Sequence, residues 1–429
     1  MNRTLVTALV LGLCGGVARA DWPQWRGPSR DGIAVGARLP KVWPRRTPAP
    51  SWKIAIGEGY SSPVVAAGRL YIMSREAGDT EVCLCFAADS GKELWRHAYQ
   101  APYKPSDPRA GKGPKSTPTV DGDLVFMLGA SGKFHCLDSK SGKVVWQRDF
   151  NAEFWGVEKD PNDPNDDAWS PCCGAATSPL VDGERVILPV GGKKAGGVTI
   201  FNKRNGSILA KSLEDRSSYA SFVVASLAGE RQFIGFTGIR MVGLRASDAA
   251  LLWDFPFRVK WDQTVCTPVV WKDLVIVAGE RHVKDEPLRE TTALRIEPLR
   301  GAFTTTVAWV NKDLRAYLCS PVAYRDCLYG LNEKRQQLVC VDLPTGKTRW
   351  TGDNFYSNGS IIAADGKILV MCQDGQLFVA EANPEKLVLH ATLQLSDAGD
   401  VWAAPALSGA RFFVRDRKHL YCYDFAGPN

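Results

Sequence analysis

Two adjacent cysteines and a row of acidic residues are the groups in this chain whose spacing suggests chemistry. Cys172 and Cys173 are neighbours, so a disulfide between them closes a small, strained ring. In an exported protein the two alternatives are this disulfide and a pair of reduced thiols. Just before them, residues 160–167 alternate carboxylates and amides, which are oxygen ligands suited to Ca²⁺. The stretch lacks the glycine and distal glutamate of an EF-hand loop, so a solvated loop is the alternative and we assign no metal ligand.

No arrangement of residues typical of catalysis is found in the sequence. The five histidines are scattered singly, and none stands at motif spacing from an acid or a cysteine. The chain has no glycine-rich phosphate loop, no HExxH motif and no GxSxG motif. We therefore predict no catalytic residue, which favours a protein without enzymatic activity.

Eight short apolar strands would position any functional group, and each begins with a Ser/Thr-Pro dipeptide or a weaker version of it. Five begin with Ser-Pro or Thr-Pro, and three weaker versions complete the series. The eight pairs are Ser62-Pro63, Thr117-Pro118, Ser178-Pro179, Ser221-Phe222, Thr267-Pro268, Ser320-Pro321, Ser360-Ile361 and Ala404-Pro405. A recurrence every ~40–60 residues indicates a repeat architecture.

Each repeat contains four runs of strand length bounded by Asp and Gly turns. In the second repeat the runs start at Thr117, Leu124, Phe134 and Val144. The last run ends in a Trp four residues after the turn glycine, and this Trp is predicted to pack between neighbouring repeats. Units of this kind stack radially, so the sequence predicts an all-β, eight-bladed β-propeller with four antiparallel strands per blade. Seven blades are the alternative if the fifth repeat, with a polar insert at residues 280–291, is misread.

The two ends of the chain are predicted to close the ring. Residues 52–55 precede the first repeat, and the last repeat, from residue 402 to residue 425, has only three strands. We expect this N-terminal strand to complete the last blade, which leaves no free sheet edge. The propeller is placed at residues 51–429, after an N-terminal extended segment at residues 21–50.

Residues 1–20 are predicted to be a signal peptide that is cleaved near Ala20. Arg3 precedes an apolar stretch that is too short to span a membrane, and Ala18-Arg19-Ala20 is typical of a cleavage site. We expect an exported, soluble protein in the periplasm or outside the cell, with no transmembrane segment. Removing Arg3 and Arg19 lowers the formal net charge from +7 to +5 (7 − 2), and no basic block remains, which disfavours nucleic-acid binding.

Most other cysteines recur at equivalent positions in different repeats and are predicted to be buried packing residues. The two columns contain Cys85, Cys136, Cys340 and Cys422, and then Cys266 and Cys319. Equivalent positions in non-adjacent blades are too far apart for a disulfide, so these thiols are expected to act as small hydrophobic side chains.

The long loops are predicted to lie on one face of the propeller. They connect the last strand of one blade to the first strand of the next, and they emerge together around the channel mouth, where binding residues are usually found. The candidate binding residues are Tyr60, Lys115, Trp169, Cys172, Cys173, Tyr219, Trp261 and Trp402, and Trp155 lies on the same loops. Aromatic rings around a concave mouth suit flat or sugar-like ligands. The alternative is that these rings only fill the channel.

The segment from Ser62 to Trp95, with Ser-Pro-Val-Val, Gly-Arg-Leu-Tyr and Asp-Ser-Gly-Lys-Glu-Leu-Trp, resembles the pyrroloquinoline quinone (PQQ) repeat. The opening from Asp21 to Pro28 is similar to exported PQQ-binding-like propeller proteins. This BamB-like and quinoprotein alcohol dehydrogenase-like superfamily includes the propeller subunit of the outer-membrane barrel assembly machinery. For its enzymes the resemblance implies PQQ, Ca²⁺, a stacked Trp, in some members a vicinal disulfide, and a catalytic Asp. The Ca²⁺ ligands, the catalytic Asp and the Cys-x-x-Cys-His haem motif have no match here.

These observations predict an exported, non-catalytic binding or scaffold protein, a monomer that binds a protein, peptide or carbohydrate partner through its loop-rich face. One alternative is a PQQ-dependent oxidoreductase acting on an alcohol or sugar. In that alternative PQQ and Ca²⁺ lie near Cys172 and Cys173, with Lys115, Arg258 and Lys260 against the PQQ carboxylates. The other alternative is an outer-membrane protein assembly factor.

Overall fold

The apolar runs between the Asp and Gly turns form eight antiparallel sheets of four strands each, which confirms the predicted eight-bladed propeller. The computed structural model describes residues 21–105, 110–155, 173–259, 264–283, 286–299, 302–356, 358–396 and 398–426. The predicted signal peptide, the acidic stretch at 160–167, Trp169, Cys172, Lys260 and Trp261 lie outside these residues. No helix within the described ranges is both long and apolar enough to cross a membrane.

The strands are numbered in chain order, beginning with β1 (Trp52–Ala55) ahead of the first blade. Blade one contains β2 (Val64–Ala66), β3 (Arg69–Glu76), β4 (Thr80–Ala87) and β5 (Glu93–Gln100). Blade two contains β6 (Thr119–Asp121), β7 (Leu124–Leu128), β8 (Lys133–Asp138) and β9 (Val144–Asp149), followed by a π-helical turn, Asn151–Trp155. Blade three contains β10 (Leu180–Asp182), β11 (Arg185–Leu188), β12 (Val198–Asn202) and β13 (Ile208–Ser212). Blade four contains β14 (Val223–Leu227), β15 (Glu230–Phe236), β16 (Arg240–Arg245) and β17 (Leu251–Pro256).

The second half of the ring repeats the same meander. Blade five contains β18 (Val269–Trp271), β19 (Leu274–Val283), β20 (Glu286–Leu299) and β21 (Ala302–Asn311). Blade six contains β22 (Val322–Tyr324), β23 (Cys327–Asn332), β24 (Gln337–Asp342) and β25 (Thr348–Gly352). Blade seven contains β26 (Gly359–Ala364), β27 (Lys367–Cys372), β28 (Gln376–Glu381) and β29 (Leu389–Gln394). Blade eight contains β30 (Ala406–Ser408), β31 (Arg411–Arg415) and β32 (His419–Asp424), completed by β1.

The ring closes as the sequence predicts. β1 pairs with β32 along its whole length, from Trp52 opposite Cys422 to Ala55 opposite His419. The sheet order in blade eight is β1-β32-β31-β30, so the first strand of the propeller is the outermost strand of its last blade. The start and the end of the chain therefore share one hydrogen-bonded sheet.

The irregular fifth repeat is a complete blade with a lengthened hairpin. Its polar insert extends β19 and β20, which pair continuously from Leu274 opposite Arg295 to Val283 opposite Glu286. The insert therefore adds length to an existing strand pair instead of interrupting the repeat, and the count of eight blades holds.

In five blades a tryptophan on the outermost strand joins that blade to the next, as predicted for Trp95 and Trp146. Trp95 Nε1 donates to Ser139 O of blade two at 3.1 Å, and Trp146 Nε1 donates to Lys203 O of blade three at 2.9 Å. Trp309, Trp350 and Trp52 make the same kind of bond to Leu343, Asn383 and Ala88. A Cβ added at Gly142 would lie 2.5 Å from the Trp95 ring, so the turn glycine leaves room for the tryptophan of the preceding blade.

Blade four departs from this pattern in the structure as it does in the sequence. Its outer turn contains Asp248 and Ala249 in place of the usual Asp and Gly, and its Trp253 donates to Gln232 Oε1 within the same blade at 2.7 Å. The cysteines of the two repeated columns are buried and form no disulfide, which agrees with their predicted packing role: Cys85, Cys136, Cys266, Cys319, Cys340 and Cys422.

Candidate functional site

The segment between residues 22 and 38 enters the channel and contacts every blade. Trp22 exchanges two 2.8 Å backbone hydrogen bonds with Val65 of blade one, and Ala363 of blade seven donates to Gly32 O at 2.9 Å. Further contacts reach blades two and eight through the bonds Val120 N to Pro23 O and Arg38 N to Gly409 O. Because these partners lie toward the short-turn ends of the innermost strands, the segment closes the channel from that side. We call residues 22–38 the plug.

Two buried arginines hold the plug to blades three, four and six, and Trp25 reaches Thr267 of blade five. Arg26 donates to the carbonyl oxygens of Ser320 and Pro321 in blade six at 2.9 and 2.6 Å. Arg30 donates to Phe222 in blade four and to Ser178 and Pro179 in blade three, at 2.7, 3.0 and 2.8 Å. Burial lowers the pKa of both guanidinium groups, because it removes water from the charged form.

The Ser/Thr column of the repeats forms hydrogen bonds between neighbouring blades along part of the channel wall. The backbone N–H of Ser62 donates to Thr117 Oγ1 at 3.1 Å, that of Thr117 to Ser178 Oγ at 3.0 Å, and that of Ser178 to Ser221 Oγ at 2.9 Å. Thr267 N donates to Ser320 Oγ at 2.9 Å in the same way. Each hydroxyl therefore satisfies a buried donor of the preceding blade, which gives a structural reason for the repeated Ser/Thr.

Above the plug, on the loop-rich side, lies a cavity of about 360 Å³. Trp25 of the plug is one of its lining residues and donates from Nε1 to Thr267 Oγ1 at 2.8 Å. Of the predicted binding residues, the lining includes Tyr60, Lys115, Cys173, Tyr219 and Trp402. It also includes residues that the prediction missed: Trp25, Tyr317, Asn358 and Arg417. A volume of a few hundred Å³ with aromatic walls and few polar groups is typical of a ligand pocket.

Lys115 brings a positive charge into this cavity. Its ammonium donates to Gly111 O at 3.3 Å and to Gly113 O at 3.5 Å. It lies 5.3 Å from the ring centre of Tyr60 and 6.0 Å from that of Tyr103, which places it against two aromatic faces. Desolvation lowers the pKa of Lys115 to about 8, although nearby Cys173, Glu81 and Glu58 raise it.

The other predicted residues are held at the rim by neighbouring loops. Tyr60 lies near Arg417, whose guanidinium lies 3.3 Å from Asp400. The Tyr219 hydroxyl accepts a 3.0 Å hydrogen bond from Cys173 N. Trp402 is 38% exposed and is the most accessible aromatic wall of the cavity.

One predicted member of the mouth is placed elsewhere. Trp155 is only 2% exposed, and its Nε1 donates to Val190 O at 3.0 Å inside the core between blades two and three. Its position in a long loop suggested the mouth, but the π-helical turn directs it inward. Of the residues that were missed, Trp25 belongs to the opening segment that carried the family resemblance, whereas Arg417 occupies a short turn without a sequence signal.

The described lining does not fit PQQ bound with Ca²⁺. It contains Asn358 but no Asp or Glu, the carboxylates that bind Ca²⁺. Among the residues that the structure describes, no group of three or more His, Cys, Asp or Glu side chains is arranged to hold a metal ion. No redox step is therefore derived from this cavity.

Comparison with known proteins adds a family and several structural neighbours. The model of the family described as outer membrane protein assembly factor BamB matches residues 78–352. BamB from Moraxella catarrhalis superposes with a TM-score of 0.60 at 13% identity, covering 89% of this chain and 98% of that one. No curated protein sequence matches the chain.

Quinohemoprotein alcohol dehydrogenases are similar to the same extent. The enzyme from Comamonas testosteroni gives a TM-score of 0.59 at 12% identity, covering 96% of this chain and 81% of that one. The ADHIIG enzyme from Pseudomonas putida HK5 gives 0.58 at 12% identity, with the same two coverages. At such low identities these likenesses establish the fold alone.

Proposed function

Because this chain belongs to the outer membrane protein assembly factor BamB family, we propose that it is an exported, non-catalytic propeller that binds a partner polypeptide through its loop-rich face. In this proposal the chain acts as a monomer after removal of residues 1–20, and the partner contacts the rim of the cavity. The family description supports a setting in outer-membrane protein assembly, and a protein partner over a carbohydrate.

The observation that carries the proposal is the blind cavity. The plug closes the channel beneath it, so a group that enters from the loop-rich face meets Trp25 as a floor. Tyr60, Tyr219 and Trp402 surround the opening and present flat apolar surfaces. Rigid aromatic side chains around a concavity are the usual anchors of a binding site.

The polar groups of the floor support binding rather than a reaction. The Ser178 and Ser221 hydroxyls accept backbone hydrogen bonds between blades, and Thr267 Oγ1 accepts from Trp25. Each of these hydroxyls already has a structural partner and holds the cavity in shape. A rigid, preformed cavity lowers the entropy cost of taking up a side chain of the partner.

Site-specific photocrosslinking in the native host tests the proposal. A photoreactive amino acid at Trp402, on the rim, should capture one defined exported polypeptide, whereas the same amino acid at Val145, which is 46% exposed on the outer strand β9, should not. Equal capture from both positions, or none from the rim, would contradict the proposal that the partner binds the loop-rich face. PQQ-dependent oxidation of an alcohol or sugar by the purified protein would favour the quinoprotein alternative instead.

A further inference from the structure

We propose that the cavity recognises a carboxylate on the partner, bound by the ammonium group of Lys115 beside the aromatic walls. This inference rests on the proposed binding function and adds the chemistry of the group that is bound. The polypeptide partner has two sources of a carboxylate, an Asp or Glu side chain and its own C-terminus.

The first argument is the unbalanced charge of Lys115. Its ammonium contacts two backbone carbonyls and two aromatic faces, and no carboxylate lies within ion-pair distance among the described residues. Glu81, one of the nearby acids, is buried and accepts from Tyr99 at 2.6 Å and from Ala130 N at 3.1 Å. A cation that has lost water without gaining a counter-ion is stabilised by an incoming anion.

Lys203 shows what a structural lysine looks like in the same fold. Its ammonium lies 2.9 Å from Asp121 and 2.9 Å from Glu184, so the charge is balanced twice although the side chain is only 10% exposed. Lys115 projects into a cavity instead and has no such pair among the residues that the structure describes. The contrast indicates that the counter-ion of Lys115 comes from outside the described part of the chain.

The second argument is the charge of the cavity lining. Its described residues include two cations, Lys115 and Arg417, and no acid. Arg417 already has Asp400 as an ion-pair partner at 3.3 Å, which leaves Lys115 as the group that can accept a new anion. Trp25, Tyr60 and Tyr219 then contact apolar atoms next to that anion. The complementary group is a carboxylate that adjoins an aromatic or aliphatic side chain.

Three capped dipeptides test the inference with the full mature protein, measured by calorimetry or tryptophan fluorescence. Acetyl-Glu-Phe-amide offers a side-chain carboxylate, acetyl-Gln-Phe with a free C-terminus offers a terminal one, and acetyl-Gln-Phe-amide is neutral. We expect at least one acidic probe to bind about tenfold or more tightly than the neutral one, as a charge-assisted hydrogen bond implies. Whichever acidic probe is preferred identifies the source of the carboxylate.

Two further measurements show whether Lys115 causes the preference. Lys115→Met should abolish the difference between acidic and neutral probes, whereas Lys143→Met, at an exposed turn on the opposite face, should leave it unchanged. In the unmodified protein the preference should fall as the pH rises through about 8, because Lys115 loses its proton there. This second readout needs no variant and holds even if Lys115→Met misfolds.

The results separate this inference from the function on which it rests. Equal binding of all three probes would overturn the carboxylate assignment, while rim crosslinking at Trp402 would still support the partner site. No binding of any probe up to about 10 mM would also overturn it, since even weak pockets bind matching groups in that range. Loss of crosslinking together with a retained acidic preference would contradict the polypeptide partner and leave the carboxylate site in place.

Discussion

Arg30 and Phe222 are joined inside the channel, where Arg30 Nη1 donates to the Phe222 carbonyl at 2.7 Å although 192 residues separate them in sequence. The same guanidinium also bonds to Ser178 and Pro179 of the neighbouring blade. One side chain of the plug thus bridges blades three and four at their innermost strands. The plug therefore contributes hydrogen bonds that join neighbouring blades of the ring.

Arg30→Met should destabilise the protein, because it removes three hydrogen bonds while keeping most of the side-chain volume. The carbonyls of Phe222, Ser178 and Pro179 would lose their donor in a buried site, and we expect a loss of about 2–4 kcal/mol in the free energy of unfolding. Urea denaturation measures this change. Arg38→Met, at an exposed plug position, should change it by less than about 0.5 kcal/mol, and a similar effect of both variants would contradict the role of Arg30.

Ring closure depends on the single strand β1, and Trp52 is its anchor. Trp52 is 9% exposed, lies 5.9 Å from the Phe413 ring centre and donates to Ala88 O at 3.3 Å. Trp52→Ala should reduce the free energy of unfolding by about 3–5 kcal/mol. The side chain of its neighbour Lys53 is exposed and lies with its ammonium 5.1 Å from the Tyr421 ring centre, so Lys53→Ala should lose less than about 1 kcal/mol. Thermal denaturation of both variants measures the two losses, and equal stability of the two would show that the Trp52 side chain does not anchor β1.

The features that repeat were predictable from the sequence, because equivalent residues make equivalent packing contacts in different blades. The outer tryptophans and the turn glycines recur, so their shared roles could be inferred from their spacing. The Ser/Thr column recurs too, but its spacing indicated only a repeat and not the hydrogen bonds between blades. Tyr60, Lys115, Tyr219 and Trp402 line one cavity because loops that follow equivalent strands emerge on the same face. The ligand-binding role of these residues stays a prediction.

The plug was not predictable in the same way. For residues 21–50 the sequence predicts only an extended segment, since no periodic pattern there indicates a partner. Arg26 and Arg30 bond to backbone carbonyls of distant strands, and such contacts leave no complementary residue type in the sequence. Trp155 was misplaced for a related reason: a long loop near a channel gives no information about which way a local helical turn points.

The turn glycines allow a matched pair of substitutions. Gly122 and Gly142 both adopt positive φ, at 59° and 70°, but a Cβ at Gly122 meets no atom within 4 Å whereas one at Gly142 meets the Trp95 ring at 2.5 Å. Gly122→Ala should cost about 1 kcal/mol through its backbone conformation alone. Gly142→Ala should cost about 1–3 kcal/mol more, because it overpacks the contact between blades.

A double-mutant cycle checks the cause of that difference. Trp95→Ala removes the ring that a Cβ at Gly142 would meet, so the two substitutions should show a coupling energy of roughly 1 kcal/mol or more in chemical denaturation. Gly122→Ala combined with Trp95→Ala should be additive. Additivity in both cycles would mean that the glycine serves the turn and not the tryptophan.

His135 lies in a buried aromatic group between blades one and two. Its ring is 5.0 Å from that of His97 and 4.5 Å from that of Tyr99, and the side chain is 4% exposed. Burial lowers the pKa of His135 to about 3, with a further lowering by the charges of His97 and Lys133 against an opposite effect of Asp149. The fold therefore holds this imidazole neutral.

This arrangement predicts a loss of stability in acid. In the unfolded chain the imidazole has a pKa of about 6.5. Above that pH the neutral imidazole contributes fully to the free energy of unfolding. This contribution is lost as the pH falls toward 3, where the folded form also takes up the proton. His135→Gln should therefore flatten the decline in the free energy of unfolding between about pH 7 and pH 4.5 by about 2 kcal/mol. His390→Gln, at an exposed site outside this aromatic group, serves as the control. Equilibrium denaturation across this pH range measures both variants, and an equally steep decline in His135→Gln would assign the acid sensitivity to other groups.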